Sequence, residues 1–471
     1  MLLDHSLVYA LARGLPGVIN FLAIAVYTRL LEPGTYGEYS LVLASIALLD
    51  AVLIQWLRLG LLRLLPQANS SAETLLEVIR SVWLLVAAAV TALTLLAVAI
   101  PAVPVPAGLL LGGLCLFLAQ GWFELNLELV RSRLQPGRYG RLALLRAVLS
   151  LGLGALFAWL WAAPGLLFGL ALGIAVSYLL LGEGRDWRTG KLKLDAVTLR
   201  RLTRYGLPLT ITFALGFIVT SSDRFLLGWF LDTGATGLYS AGYDLANYSV
   251  TMLLTIVNLA AYPLTVRALE QQGAAAARRQ LSDTLLLLLA VGLPAAAGLV
   301  LLADPIARVV VGAEFAPAAA AIMPWIALAA LLAGVKAYFV DVGFQLGGDT
   351  RLQAWVMLVA AGLNIALNVL LIPPLGIAGA VYSTVAVYAL ALLLSLLLVR
   401  RSFSLPVPQK ELLGPAVATT AMAGLLWLLP QPGGLPGLLA AVLAAALLYA
   451  LVLVLLLPRL RTVILRRLRL L

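Results

Sequence analysis

The sequence predicts an all-α polytopic membrane protein with about 14 transmembrane helices, arranged as two pseudo-symmetric six-helix bundles plus two C-terminal helices. The 471 residues are 63% hydrophobic and only 11% charged, whereas about a quarter of the residues in an average soluble domain are charged. Apolar runs of about 20 residues, long enough to span a bilayer core, recur along the whole chain. Residues 31–40 and 231–240 also share Leu, an acidic residue, two Gly, Tyr and Ser at an offset of 200.

Proline- and glycine-rich breaks divide the apolar sequence into individual helices. The breaks at residues 101–106, 163–165 and 430–434 are the clearest. Strand-type alternation is absent, which argues against a β-barrel. The predicted helices are residues 7–29, 39–62, 80–100, 108–130, 141–162, 165–182, 205–229, 238–263, 283–302, 318–344, 352–372, 377–399, 411–430 and 436–457.

The positive charges indicate the orientation of these helices. Most of the 32 Lys and Arg residues fall in one alternate set of loops and ends, and only Arg29 and Arg308 fall in the other set. Cytoplasmic loops carry such an excess of basic residues, so both termini are expected in the cytoplasm. The net charge of +11 is then explained by topology and by anionic inner-leaflet lipid. A nucleic-acid partner is not expected.

The internal repeat extends beyond the first block. Residues 141–169 match residues 351–379 at an offset of 210, with Pro164 aligned to Pro374 and Gly169 to Gly379. Helices 1–6 therefore match helices 7–12, and because six is even, the two halves run in the same direction. We expect bundles at residues 1–182 and 205–401, a cytoplasmic linker at 183–204, and helices 13 and 14 with a basic tail at 402–471.

The composition leaves little material for catalysis or for a metal site. Cys115 is the only cysteine and His5 the only histidine, so neither a disulfide nor a Cys/His metal cluster is expected. Cys115 is interpreted as a small packing residue. No loop is long enough to hold a soluble catalytic domain, so the chain is not expected to be an enzyme.

The motifs at these positions resemble one family of membrane transporters. They are the Tyr-Gly-x-Tyr-Ser block after helix 1, the Gly-x-Tyr block after helix 7, Ser222–Gly228 in helix 7, Leu363–Asn368 with Ile372-Pro373 in helix 11, and Gly376–Ala380 at helix 12. With the 6 + 6 + 2 arrangement, they resemble the lipid-linked polysaccharide flippases, whose superfamily also contains lipid II flippases and multidrug and toxin exporters.

The resemblance implies an alternating-access flippase. It would move an undecaprenyl-pyrophosphate-linked oligosaccharide from the cytoplasmic to the periplasmic leaflet of the bacterial inner membrane, for O-antigen or exopolysaccharide biosynthesis. Its partners would be this cargo, membrane lipids and polysaccharide polymerase or export proteins, and it would need no cofactor beyond H⁺ or Na⁺. A drug exporter of the same fold and a glycan polymerase or ligase are the alternatives; the exporter should have an acidic cavity, and the polymerase a large outer loop.

Charged residues inside the membrane are costly and therefore mark candidate sites. Four cations lie at a similar predicted depth on the cytoplasmic side, where a cargo pyrophosphate would enter: Arg13, Arg58, Arg146 and Lys336. Arg grips phosphate oxygens bidentately, whereas Lys acts as a point charge. The alternative for each is that the side chain snorkels to inner-leaflet headgroups. For Arg13, a binding site is favoured because Gly14, Pro16 and Gly17 follow it, and these residues can loosen the helix and open its backbone toward a cavity.

Acidic residues in the helices divide into two predicted roles. Near the periplasmic end of helix 7, Asp223 and Arg224 are expected to pair with neighbouring helices, with Asp244 as a partner for Arg224, either as a tether or as a gate. Candidate H⁺ or Na⁺ coupling sites are Asp50, Glu124, Glu128 and Asp341. Glu124 and Glu128 could instead pair with Arg131 and Arg146, and Asp341 with Lys336.

Polar residues that could contact sugars complete the candidate site. Asn364 and Asn368 are four residues apart on one helix face, where two amides usually bridge helices. Tyr27 and Asn247 could hydrogen-bond to sugars in the cavity, although interfacial anchoring explains aromatic residues equally well. Stretches 14–17 and 292–298 are the candidate bending points, and the glycines of the two repeated blocks are expected to form tight turns in outer loops.

Overall fold

A computed structural model describes residues 17–67, 72–182 and 192–456 of the chain. This part of the chain is helical and contains no strand. Twelve of its helices are long and apolar enough to span a membrane, and counting the broken helix Pro136–Leu181 as two and adding the shorter apolar helix Gly17–Leu30 gives the 14 predicted spans. In chain order the 14 are α1 (Gly17–Leu30), α2 (Pro33–Gln67), α3 (Ala72–Ala99), α4 (Ala107–Ser132), α5 (136–160), α6 (163–181), α7 (Ala196–Phe230), α8 (Thr233–Gln272), α9 (Ala274–Leu301), α10 (Ala316–Leu346), α11 (Thr350–Leu375), α12 (Ile377–Val399), α13 (Gln409–Leu428) and α14 (Gly434–Leu456).

The two repeated blocks are helical, and their prediction as loops was wrong. Helix α2 begins at Pro33 rather than at residue 39, and α8 begins at Thr233 rather than at residue 238. Proline suits the first turn of a helix because its missing N–H has no partner there anyway. At the start of α8, the Asp232 carboxylate accepts the backbone N–H of Ala235 at 2.6 Å. Only residues 31–32 and 231–232 are left as connections.

Two of the spanning helices contain a π-helical turn. In α2 the π turn covers Asp50–Ile54, and in α10 it covers Lys336–Val340. Such turns insert one residue into an α-helix and often occur at functional sites. Both begin at a charged residue that the sequence singled out. The predicted bending stretch 292–298 lies in α9, which is helical throughout, whereas residues 14–16 of the other stretch lie outside the described residues.

Helices α5 and α6 form a tight hairpin, as do α11 and α12. The first hairpin turns at Ala162 (φ 51°, ψ −136°) and the second at Gly376 (φ 60°, ψ −137°). Three residues later, a side chain on Gly165 would meet the carbonyl oxygen of Phe157, and one on Gly379 that of Leu371. Gly379 is therefore the structural equivalent of Gly165, not of Gly169.

The proline match at the hairpins is corrected for the same reason. Pro164 follows its turn, whereas Pro374 precedes the turn at Gly376. The helix starts at 136 and 350 and the turns at 162 and 376 are both 214 residues apart, so the structural offset of the hairpins is four residues larger than the sequence match of 210.

The chain divides into two compact units, Met1–Ser240 and Ala241–Leu471. In the first unit, α4 packs on the α5–α6 hairpin, and α7 contacts α2 along its length. In the second unit, α13 and α14 pack on α9 around a core that includes Leu302, Met422 and Leu438. A short helix at Ala303–Val310, which the sequence did not predict, contacts α14 there. The bundle boundaries at residues 182, 205 and 401 stay predictions.

Candidate functional site

Arg58 lies at the centre of a group of ion pairs in the first unit. It is on α2, one turn after the π turn, and its guanidinium reaches back to the Asp50 carboxylate at 3.1 Å. The same guanidinium is 3.0 Å from Glu124 and 3.8 Å from Glu128, both on α4. Because the side chains of Arg58 and Asp50 are only 17% and 14% exposed, the charges compensate one another in a largely dry environment.

Arg146 and Arg131 extend this group onto α5 and the end of α4. The Arg146 guanidinium is 2.5 Å from Glu124 and lies over the ring of Phe123, 5.0 Å from its centroid. Arg131 is 3.4 Å from Glu128 and is 40% exposed. The pairing of Glu124 with Arg146 and of Glu128 with Arg131, one of the two alternatives from the sequence, is the arrangement found here. We call these six residues the arginine–carboxylate cluster: Asp50, Arg58, Glu124, Glu128, Arg131 and Arg146.

The cluster has equal numbers of acidic and basic side chains. Its two more buried guanidinium groups, those of Arg58 and Arg146, both contact Glu124. An anionic ligand that bound either arginine would therefore compete with a carboxylate. The cluster can exchange one anion for another, and a proton or cation could balance the displaced carboxylate.

The remaining described cation of the predicted set lies in the second unit. Lys336 begins the π turn of α10, is 5% exposed, and donates to the Asp341 carboxylate at 2.7 Å. Ser395 on α12 donates to the other oxygen of Asp341 at 3.3 Å. Both charges of this pair are buried, so Lys336 is directed to Asp341 in this conformation. Its role as a cargo ligand, like the coupling role of Asp341, stays a prediction.

The charges near the end of α7 have local partners. Asp223 is 1% exposed and accepts hydrogen bonds from the Tyr239 hydroxyl and from the backbone N–H of Arg224. Arg224 donates to the Ser40 hydroxyl at 3.5 Å. These contacts connect α7 to both repeated blocks. The pairing of Arg224 with Asp244 stays a prediction, and Arg13 lies outside the described residues.

The candidate sugar-binding side chains differ in exposure. Asn364 and Asn368 are 1% and 0% exposed, and the Asn368 amide donates to Asn364 at 3.2 Å. Tyr27 is also buried, and its hydroxyl donates to the carbonyl oxygen of Ser150 on α5 at 3.1 Å. Asn247 is partly exposed and accepts from Thr251 at 3.2 Å. Of these four, Asn247 is the most accessible to a ligand in this conformation.

The repeated blocks form a symmetric contact that the sequence did not predict. The Ser40 hydroxyl donates to the Ser240 hydroxyl at 2.7 Å. A side chain on Gly37 would overlap the carbonyl oxygen of Thr233, and one on Gly237 would overlap that of Pro33. These two contacts are equivalent at an offset of 200, because Gly237 corresponds to Gly37 and Thr233 to Pro33. The repeated sequence was the signal that could have predicted this contact, because equivalent residues meet at a twofold axis.

A second close approach involves the other end of α2. A Cβ on Gly206 of α7 would lie 2.7 Å from the Trp56 carbonyl oxygen, and one on Gly60 would lie 4.0 Å from the Leu202 Cβ. The Arg63 guanidinium lies 4.3 Å from the ring centroid of Tyr205. Helices α2 and α7 therefore contact each other at both of their ends.

In the described part of the chain, no group of three or more His, Cys, Asp or Glu side chains could hold a metal ion. Cys115 is exposed on α4, so its interpretation as a packing residue was wrong. It faces outward because its helix neighbours Gly112, Gly113 and Leu116 occupy the buried face.

Solved structures with a similar fold include a lipid II flippase and transporters of the MOP superfamily. The lipid II flippase MurJ in an inward-closed conformation has a TM-score of 0.73 at 14% identity, covering 95% of this chain and 98% of MurJ. An inward-facing multidrug resistance MATE transporter of the MOP superfamily has a TM-score of 0.63 at 13% identity, covering 83% and 97%. A MOP superfamily transporter from Pyrococcus furiosus with a binding pocket of reversed polarity has a TM-score of 0.57 at 14% identity, covering 84% and 94%.

At these identities the likeness establishes a shared fold. No curated protein matches the chain by sequence. A protein family described as polysaccharide biosynthesis protein matches residues 26–320, more than half of the chain. The chain therefore belongs to the polysaccharide biosynthesis protein family.

Proposed function

We propose that the protein moves an undecaprenyl-pyrophosphate-linked oligosaccharide from the cytoplasmic to the periplasmic leaflet of the bacterial inner membrane by alternating access. Both termini would lie in the cytoplasm. The family and the fold support a flippase, and the basic charge bias of the loops supports this orientation. The pathway served would be that of a surface glycan such as O-antigen or exopolysaccharide, together with polymerase or export proteins.

The arginine–carboxylate cluster is the observation that carries this proposal. Its two more buried guanidinium groups are held by carboxylates at 2.5 to 3.1 Å, in a geometry that phosphate oxygens can also occupy. A cargo pyrophosphate would replace Glu124 on Arg146 and Arg58, and the released carboxylate would take up H⁺ or Na⁺. Binding of the anion would thereby be coupled to the ion. The lipid tail would stay in the bilayer while the headgroup crosses.

A cation-coupled drug exporter is the second candidate. The three carboxylates of the cluster and the fold shared with a MATE transporter favour it. Against it, each of these carboxylates contacts an arginine, which leaves little net negative charge to attract a cationic drug.

A deletion strain separates the two candidates. A flippase deletion should lose its surface glycan and accumulate the lipid-linked oligosaccharide in the inner leaflet, and expression of the wild-type protein should reverse both effects. Arg146→Gln should restore the glycan poorly at matched protein levels, and Arg308→Gln, at an exposed ion pair, should restore it fully. Normal surface glycan in the deletion strain, combined with increased sensitivity to cationic dyes, would reject the flippase in favour of the exporter.

A further inference from the structure

The two glycine contacts of α2 lie far apart along the same helix. Ser40 and Gly60 are separated by about 20 residues, which is about 30 Å of helix and close to the thickness of the bilayer core. We call the contact of Pro33, Gly37 and Ser40 with Thr233, Gly237 and Ser240 the repeat contact. We call the contact of Trp56 and Gly60 with Leu202 and Gly206 the inner contact. Helix α2 is therefore held at both membrane faces.

The repeat contact is tight, and the polar contacts described at Ser40 are side-chain hydrogen bonds with Ser240 and Arg224. Glycine at positions 37 and 237 lets the first turns of α2 and α8 touch backbone to backbone, since either Cβ would overlap a carbonyl oxygen. Among the polar contacts described there, one hydroxyl–hydroxyl hydrogen bond, Ser40 to Ser240, joins the two equivalent residues. Water can replace that bond on both hydroxyl groups when the helices separate. The contact can thus close completely and still open reversibly.

The inner contact has a similar construction at the other end of α2. Gly206 lies against the backbone of Trp56, with no room for a Cβ, and Leu202 is fully buried beside Gly60. At the edge of this contact, the Arg63 guanidinium stacks on the ring of Tyr205. A larger residue at Gly206 would overlap the Trp56 backbone and must therefore displace one of the two helices.

The π turn at Asp50–Ile54 lies between the two contacts. π turns are among the identified causes of helix bending. Arg58 spans this turn through its pair with Asp50 and fixes it to α4 through Glu124. A bend at this point would move the two ends of α2 separately. An anion bound to Arg58 would change the ion pairs with Asp50 and Glu124 that hold this turn.

We propose that the repeat contact and the inner contact are the two gates of the transport path, and that α2 bends at its π turn to open one while the other stays closed. The inference rests on the proposed function, because reciprocal gates are required of a carrier. Both gates are closed in this structure. The repeat contact is the gate of the predicted periplasmic face, and the inner contact is that of the predicted cytoplasmic face.

Glycine-to-alanine substitutions test this reciprocity in the purified protein without any cargo. Spin labels at Glu32 and Leu231, both exposed and next to the first turns of α2 and α8, report the opening of the repeat contact. Labels at Gln67 and Arg200, also exposed, report that of the inner contact. Gly37→Ala should lengthen the first distance only, and Gly206→Ala the second only. Gly152→Ala is the matched control, because a Cβ there has no neighbour within 4 Å, and it should change neither distance. If either gate variant lengthened both distances or neither, the proposal would be overturned.

Disulfide bonds across the two contacts provide a second test, which does not require the protein to accommodate a steric clash. In a Cys115→Ala background, Ser40→Cys with Ser240→Cys should close the repeat contact. Gly60→Cys with Leu202→Cys should close the inner contact, since the 4.0 Å between these Cβ positions suits a disulfide. Each lock should block glycan export at least tenfold, and reduction should restore it.

Transport that persists with either disulfide fully formed would contradict the proposal that these contacts are gates. If the unmodified protein moves no lipid-linked glycan, the proposed function fails, whereas the spin-label distances still decide whether the two contacts open reciprocally. The two failures are therefore distinguishable.

Discussion

At the scale of single residues, Glu124 connects the two more buried arginines. It contacts Arg58 at 3.0 Å and Arg146 at 2.5 Å, and its side chain is 18% exposed. The sequence identified these charges because they lie inside apolar runs. It could not identify their partners, since several arginines lie at a similar predicted depth and partner choice depends on how the helices pack. Glu124 is therefore the residue through which the cluster is best perturbed.

We predict that Glu124→Gln destabilises the protein by about 1–3 kcal/mol. Removing one partner of a buried pair costs about 3–5 kcal/mol, and the partial exposure of these groups reduces that figure. The double variant Glu124→Gln with Arg146→Gln should recover part of the loss, because one unpaired cation is removed. Thermal unfolding in detergent measures the difference.

The exposed pair of Asp304 and Arg308, 2.7 Å apart with side chains 51% and 72% exposed, is the control for this measurement. Asp304→Asn should cost less than about 1 kcal/mol, as for surface pairs generally. Equal destabilisation by Glu124→Gln and Asp304→Asn would contradict the account of the cluster.

At the scale of helices, the number and order of the spans could be predicted because each needs a long apolar run between breaks. The starts of α2 and α8 could not, because Gly, Thr and Ser in the repeated blocks are typical of loops, and here they serve close helix contact instead. The π turns were also beyond prediction. One inserted residue leaves the hydropathy pattern unchanged, although both turns begin at a charge that the sequence marked.

The start of α7 gives a pH-dependent prediction. Hydrogen bonds from the side chain and backbone N–H of Thr198 lower the pKa of Asp195, which caps this helix. A lowered folded-state pKa means that the cap stabilises the fold above the unfolded value of about 3.9, and that this contribution is lost as the pH falls through the folded pKa. Wild type should therefore unfold at a higher temperature than Asp195→Ala at pH 7, and the difference should shrink below about pH 4. A difference that grew on acidification would contradict this role.

At the scale of the whole molecule, the sequence repeat corresponds to a physical contact. Equivalent residues of the two blocks meet at Ser40 and Ser240, and the α5–α6 and α11–α12 hairpins turn with the same backbone conformation. The duplication was readable because identity survives at fixed offsets. Its register was misread in the hairpins, where the structural offset of 214 differs by four residues from the sequence match.

The most direct test of the central claim is trans-bilayer movement of the lipid-linked glycan by the purified protein. Proteoliposomes would carry undecaprenyl-pyrophosphate-linked oligosaccharide in both leaflets, and a glycan-cleaving enzyme added outside would report what becomes accessible. With wild type, all of the oligosaccharide should become cleavable, and with the Ser40→Cys/Ser240→Cys protein under oxidising conditions only the outer-leaflet fraction should. Equal accessibility in empty liposomes and in proteoliposomes would contradict the claim that this protein is a flippase for lipid-linked glycans.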